Sequence, residues 1–211
     1  MPETVKMLLV LTLVAGAAGI GLAAVNDGTA AAIAENERQF TLRSIRKVVP
    51  ASESPDPCQA PEPAFDNSPD EDLVCVDGLT VYRGRKGDEV VGLAIVAIGE
   101  QAYSGTITTL VGLNLEGTVT GIEVLKHAET PGLGAKIEDC AWRSQLVGKG
   151  ASDMVWKVVK DGGEVDQIGG ATISSRSMID AVLKAQKLLA EKKDEILSAA
   201  PLGAGEVCDG Q

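Results

Sequence analysis

Apolar residues are laid out along this chain in three textures. Met7–Val25, MLLVLTLVAGAAGIGLAAV, carries no charge and matches the roughly 20 residues that a helix needs to cross a bilayer. Thr29–Val49 places Ile33, Phe40, Leu42 and Ile45 at helical steps among charges, which predicts a membrane-proximal helix ended by Pro50. From about Leu79 short alternations rich in β-branched residues take over. LTVYRG, EVVGLAIVAIG, TITTLVGLNL and TVTGIEVLKH predict strands, with Glu116-Gly117 as a hairpin turn between the last two. AKIEDCAWRSQLV, Ala135–Val147, predicts a short helix stopped at Gly148, and VWKVV a further strand. Met178, Val182, Ala185, Leu188, Leu189 and Ile196 recur at three- and four-residue steps, so Ser175–Ser198 predicts an amphipathic helix with Ser174 or Ser175 as its N-cap.

These elements sum to an α+β domain, an antiparallel sheet with helices packed against it, tethered by one N-terminal transmembrane helix. The expected organisation is a short tail over 1–6, the span over 7–25, a membrane-proximal helix over 26–50 and a loop rich in proline and acid over 51–74. A folded domain over 75–200 and a tail over 201–211 follow. The span reads as an anchor in preference to a cleaved signal peptide, whose apolar core is usually about 7–15 residues. Charge does not orient it: Lys6 stands alone before the span, while Arg38, Arg43, Arg46 and Lys47 lie beyond.

Composition narrows the partners. A formal charge of −11 and a pI near 4.6 exclude a nucleic-acid surface, which draws on clustered Lys and Arg. Aromatic residues make up 3% of the chain, so the core is built from Val, Ile, Leu and Ala. The four cysteines, Cys58, Cys75, Cys140 and Cys208, form no CxxC or CxxCH motif, which leaves no zinc knuckle or haem attachment. They suit disulfides in an oxidising compartment, with Cys58–Cys75 across the proline-rich loop as the expected pair; buried free thiols are the alternative.

Candidate chemistry lies in loops. GGATISS, Gly169–Ser175, stands just ahead of the long helix, where unpaired N–H groups and the positive end of the helix dipole favour a phosphate; plain helix capping is the other reading. It is not a P-loop, since no GK[ST] follows. HAETPGLGAKI, His127–Ile137, packs Pro131, Gly132 and Gly134 between a strand and a helix. His127 is the single histidine of the chain and builds neither a histidine-rich metal site nor a Ser-His-Asp arrangement. Tyr103-Ser104-Gly105 opens a strand.

Taken in order, YSG, LVGL, GTVTGIEVLKHAETPGLG and DQIGGATISS before a long helix resemble the FMN-binding domain of the G subunit of the Rnf electron-transport complex. The C subunit of the sodium-pumping NADH:quinone reductase is similar, with the same site in a different complex, and is the nearest alternative. The resemblance covers nearly the whole chain and implies FMN joined by a phosphoester to Thr172, the threonine of a [ST]GATxx[ST] motif whose first position is here Gly169. It further implies a pocket of Gly170, Ala171, Ser174 and Ser175, with Glu129, Thr130, Leu133 and Gly134 lining the flavin and Tyr103 and Ser104 bordering it. No side chain of the protein is implied as a catalytic acid or base, and no metal ligand.

By the same resemblance the chain is an electron-carrying subunit of a translocase that couples ferredoxin and NAD chemistry to Na⁺ or H⁺ movement. Its partners are the other Rnf subunits, a flavin transferase that uses FAD and Mg²⁺ during maturation, and in some lineages a cytochrome. The flavin domain is expected on the periplasmic or outer side of the inner membrane. A membrane-anchored binding module without redox chemistry, in which GGATISS only caps a helix, is the rival from another class.

Overall fold

The computed structural model describes residues 2–49, 65–202 and 208. Helix α1 runs Glu3–Val48 without interruption, so the expected span and membrane-proximal helix are one element. Through the apolar run its side chains are exposed, and it is long and apolar enough to cross a membrane. The Thr12 hydroxyl donates to Leu8 O (2.9 Å) and that of Thr29 to Val25 O (2.9 Å), so each hydroxyl is satisfied within the helix itself. Met1–Phe40 is one compact unit and Thr41–Gln211 a second.

The second unit is built on a five-stranded antiparallel sheet in the order β1-β2-β3-β4-β5. Its strands are β1 Leu73–Val76, β2 Leu79–Lys86, β3 Glu89–Ala102, β4 Gly105–Leu113 and β5 Val119–Lys126. The expected hairpin turn is present at Gly117 (φ +85°), whose N–H donates to Asn114 O (3.0 Å). Strand β1 begins at the end of the expected loop and runs into the expected domain. It is only four residues long, and its turn at Asp77-Gly78, both at positive φ, is what returns it to β2.

Both faces of the sheet are covered. Helix α3, Thr172–Ser198, packs Met178, Val182, Ala185 and Leu189 onto Leu93, Ile95, Ala97 and Val111. On the opposite face Ala94, Val96 and Leu110 meet Ile45 and Val48 from the end of α1, together with Val49 just beyond it and Phe65. Strand β3 therefore reads as a nearly continuous apolar run, since both alternating sets of its side chains are buried. The end of α1 lies so close that a Cβ at Gly112 would stand 2.0 Å from Val48 O, and Thr120 donates its hydroxyl to that carbonyl (2.6 Å).

Two fastenings hold the far end of α3. Arg83, 1% exposed, pairs with Asp72 and donates through Nη1 to Ile196 O and Ala199 O, both at 2.9 Å. Beyond the helix Leu202 N–H donates to Leu73 O (2.7 Å), and Cys208 is bonded to Cys75. That bond corrects the expected Cys58–Cys75 pair: Cys75 is joined to Cys208 across a sequence separation of 133. Cys58 and Pro50 lie outside the described residues, and Cys140 is disulfide-bonded.

Two other expectations are corrected. The helix over Ala135–Val147 is broken into a 3₁₀ turn at Gly134–Glu138, helix α2 at Cys140–Arg143 and a 3₁₀ turn at Ser144–Leu146. Asp139 causes the break by accepting the Ala141 N–H (3.0 Å) as a new N-cap. VWKVV has no neighbouring strand to pair with among the described residues; it makes one isolated bridge, Val158 to Val165, while Trp156 and Val158 are buried.

Candidate functional site

The opening of α3 is three residues earlier than its apolar stripe suggests. Thr172 is the first helical residue, and Ala171 stands at the N-cap position with no side-chain cap. Neither Ser174 nor Ser175 caps the helix, because each hydroxyl has another task. Ser175 Oγ accepts the Ile168 N–H (3.0 Å) and donates to Ala171 O (3.2 Å), pinning the Ile168–Ala171 turn from inside the first helical turn. Ser174 Oγ donates to Glu129 Oε2. The first N–H groups of α3 are thus left without a capping side chain, and the half-buried Thr172 has no hydroxyl partner among the described residues.

Glu129 brings the three loop motifs together. Its carboxylate is 5% exposed and accepts the Ser104 N–H (2.9 Å) through Oε1 and the Ser174 hydroxyl through Oε2. This burial sets it beneath the loop surface as a tie between segments. Its own N–H donates to His127 Nδ1 (3.0 Å), and His127 Nε2 stands 3.0 Å from Glu138 Oε1. Gly134 has to be glycine here, since a Cβ would come within 2.3 Å of Glu129 Oε2 and 2.9 Å of Ser174 Oγ.

The remaining expected residues surround that tie. Thr130 is exposed, and its carbonyl accepts the N–H groups of Leu133 (3.1 Å) and Ala135 (3.2 Å), folding TPGLG into a compact turn. Leu133 lies over Gly170: a Cβ on Gly170, whose φ is +80°, would stand 2.8 Å from Leu133 Cδ1. Tyr103 and Ser104 form the tip of the β3–β4 hairpin. Three large apolar side chains stay in solvent on the elements that converge at Thr172: Tyr103 at 70%, Ile173 at 44% and Leu133 at 40% exposure.

A groove of about 520 Å³ opens beside Ile173, walled by Glu100 and Gln101 of β3 and by Arg176, Ser177, Asp180 and Lys184 of α3. Its β3 wall is irregular. The pairing register shifts between Gly99 and Ala102, and Gln101 adopts a left-handed φ of +58°. Lys184 bridges Asp180 (3.0 Å) and Glu100 (3.3 Å); although burial disfavours its charge, these two carboxylates raise its pKa above the ordinary lysine value.

Two supports of the GGATISS segment are not evident from sequence. The Gln145 side chain accepts the Asp166 N–H (2.7 Å), while Trp142 Nε1 donates to Asp166 O (2.7 Å). Arg176 grips Asp161 through two bonds of 2.6 and 2.7 Å, which ties the 159–168 loop to the first turns of α3. Ile173 had a legible signal: it is an apolar residue out of phase with the buried stripe of its own helix.

The segments that build this site are matched in known proteins. Residues 102–187 match the FMN-binding domain family, a span that runs from the β3–β4 hairpin into α3 and encloses all three motifs. The G subunit of the ion-translocating oxidoreductase complex of Shewanella baltica strain OS223 is 36% identical over 170 residues, covering 78% of this chain and 79% of that protein. Its counterpart in Escherichia coli O157:H7 is 44% identical over 126 residues, covering 57% of this chain and 61% of that protein. Among solved structures, NqrC of Shewanella oneidensis aligns with a TM-score of 0.45 at 21% identity, over 61% of this chain and 70% of that one. With the matched domain enclosing the Thr172 site and identity sustained over most of the chain, this protein belongs to the family of G subunits of ion-translocating oxidoreductase complexes.

Proposed function

We propose that the chain carries FMN on Thr172 through a phosphoester and serves as the flavoprotein, electron-carrying subunit of a membrane-bound, Rnf-type ion-translocating oxidoreductase. The observation that carries this reading is the Thr172 hydroxyl, without a partner among the described residues, on an uncapped helix start where the TPGLG loop and the YSG hairpin converge.

The residues fit each part of FMN. A phosphate at Thr172 meets the free N–H groups and the positive dipole end of α3, so no lysine cluster is needed to hold it. Gly170 has no side chain to obstruct that approach, and its left-handed φ turns the chain into the helix. The exposed apolar surfaces of Tyr103, Leu133 and Ile173 suit a planar ring, and the exposed Thr130 adds a hydroxyl for its polar edge. FMN, when bound, supplies the redox chemistry; the protein supplies attachment, orientation and electrostatic surroundings.

The same reading inserts Met7–Val25 in the inner membrane and places the flavin domain on the periplasmic or outer side. The Cys75–Cys208 disulfide supports that side, because such bonds persist in oxidising compartments. A flavin transferase that uses FAD and Mg²⁺ attaches the cofactor, and the remaining Rnf subunits, with a cytochrome in some lineages, exchange electrons with it. The complex couples ferredoxin and NAD electron transfer to Na⁺ or H⁺ transport. Intact mass tests the attachment. Protein made alongside the transferase gains the mass of FMN less one water, and Thr172→Ala abolishes the gain; wild-type protein that stays unmodified and colourless overturns the reading.

A further inference from the structure

We propose that Glu129 is the positioning residue of this site. Its buried, ionised carboxylate locks the β3–β4 hairpin tip to the first turn of α3 and sets a fixed negative charge beside the residue that bears the flavin. The proposal rests on the function argued above for its second half, the effect on the flavin, and on the structure alone for its first.

Both carboxyl oxygens are placed as acceptors: Oε1 accepts from the Ser104 N–H, which can only donate, and Oε2 accepts the hydrogen bond of the Ser174 hydroxyl, an arrangement that suits a carboxylate. No lysine or arginine pairs with Glu129 among the described residues. A charge at 5% exposure needs compensation, and the available source is the helix start itself: Ser174 belongs to the first turn of α3, where free N–H groups concentrate positive potential.

The surroundings are shaped for this one group. Gly134 leaves the space that Oε2 occupies. His127 Nδ1 accepts the Glu129 N–H, so the proton of a neutral ring is on Nε2 and is donated to Glu138 Oε1. The only histidine in the chain thereby fixes the backbone of Glu129. Ser174 lies two residues after Thr172, so the position of the carboxylate is passed directly to the attachment residue. A fixed negative charge near a redox group opposes the arrival of an electron, which lowers the potential of that group.

The test compares wild type, Glu129→Gln and Glu129→Asp as full chains in detergent. In protein made without the transferase, NMR-detected hydrogen exchange at the Ser104 amide accelerates about tenfold to a hundredfold in Glu129→Gln, the loss expected for a charge-assisted bond. Amides of the β3–β4 ladder, such as Leu110 and Val111, keep their protection. An unchanged Ser104 amide, or protection lost evenly across the ladder and α3, overturns the positioning role.

In protein made with the transferase, the flavin midpoint potential rises in Glu129→Gln and stays near the wild-type value in Glu129→Asp, which keeps the charge. A potential equal in all three overturns the electrostatic half. Failure of Glu129→Gln to take up flavin, with its ladder protection intact and wild type loading normally, supports the positioning role. Wild-type protein that takes up no flavin removes the proposed function and leaves the exchange test standing.

Discussion

Replacing Arg83 by methionine tests the account of how α3, and with it Thr172, is held against the sheet. The guanidinium is 1% exposed and bonded at both ends: Nε donates to Asp72 Oδ1 (2.8 Å), and Nη1 donates to Ile196 O and Ala199 O. Those carbonyls form the negative end of the α3 dipole, so the arginine answers both a carboxylate and a helix terminus. Methionine keeps the volume but leaves Asp72, 5% exposed, with Arg85 as its remaining ion-pair partner and orphans the last carbonyls of the helix.

Removing one member of a buried pair costs about 3–5 kcal/mol. For a domain of this size that is a fall in Tm of roughly 10–15 °C. Thermal unfolding of the full chain in detergent, followed by the fluorescence of Trp142 and Trp156, reads the loss, since both tryptophans belong to the sheet unit. Adding Asp72→Leu to Arg83→Met recovers much of it, because no buried carboxylate is then left short of a partner. A single variant that melts within about 3 °C of wild type, equivalent to roughly 1 kcal/mol, refutes the reasoning.

Gly134→Ala drives a methyl into Glu129 Oε2 and Ser174 Oγ; a destabilisation of about 1–3 kcal/mol, with a reduced flavin-to-protein ratio, is the expected result in urea titration and absorbance. The Asp161 carboxyl is held below its ordinary pKa by its hydrogen bonds from Arg176. A depressed folded pKa contributes above the unfolded value and is lost as pH falls through the folded one. The NMR amide shifts of Gly162 and Gly163 should therefore be flat from about pH 8 to 5 and move below about pH 4, a step absent in Asp161→Asn. Cys75→Ser/Cys208→Ser removes the covalent link between Cys208 and β1; about 2–5 kcal/mol should be lost in urea titration, and a variant as stable as wild type would show the bond to be incidental.

Much of this protein is legible from local order in its sequence. An uncharged run is long enough to span a bilayer whatever surrounds it. Short apolar stretches rich in β-branched residues mark β2 to β5, and a three-and-four-residue stripe marks α3, because strand and helix preferences follow from local backbone geometry. GGATISS by itself offers a phosphate site or a plain helix cap, and it is the resemblance carried by ETPGLG and GGATISS together that marks Thr172 as a candidate for attachment before any fold is known.

Tertiary structure decided what depends on contacts distant in sequence. The apolar run of β3 identifies a buried strand, but only the end of α1 packed over Gly112 shows what covers its second face. Sequence proximity favoured Cys58–Cys75; the fold, which sets Leu202 against Leu73 of β1, joins Cys75 to Cys208 instead. Ser174 and Ser175 have the composition of N-caps, yet Glu129, 45 residues before Ser174, claims one hydroxyl and the Ile168–Ala171 turn the other. That exchange leaves the first N–H groups of α3 uncapped beside Thr172. A hydroxyl takes whichever acceptor or donor the folded chain brings within about 3 Å, and no period or motif records that choice.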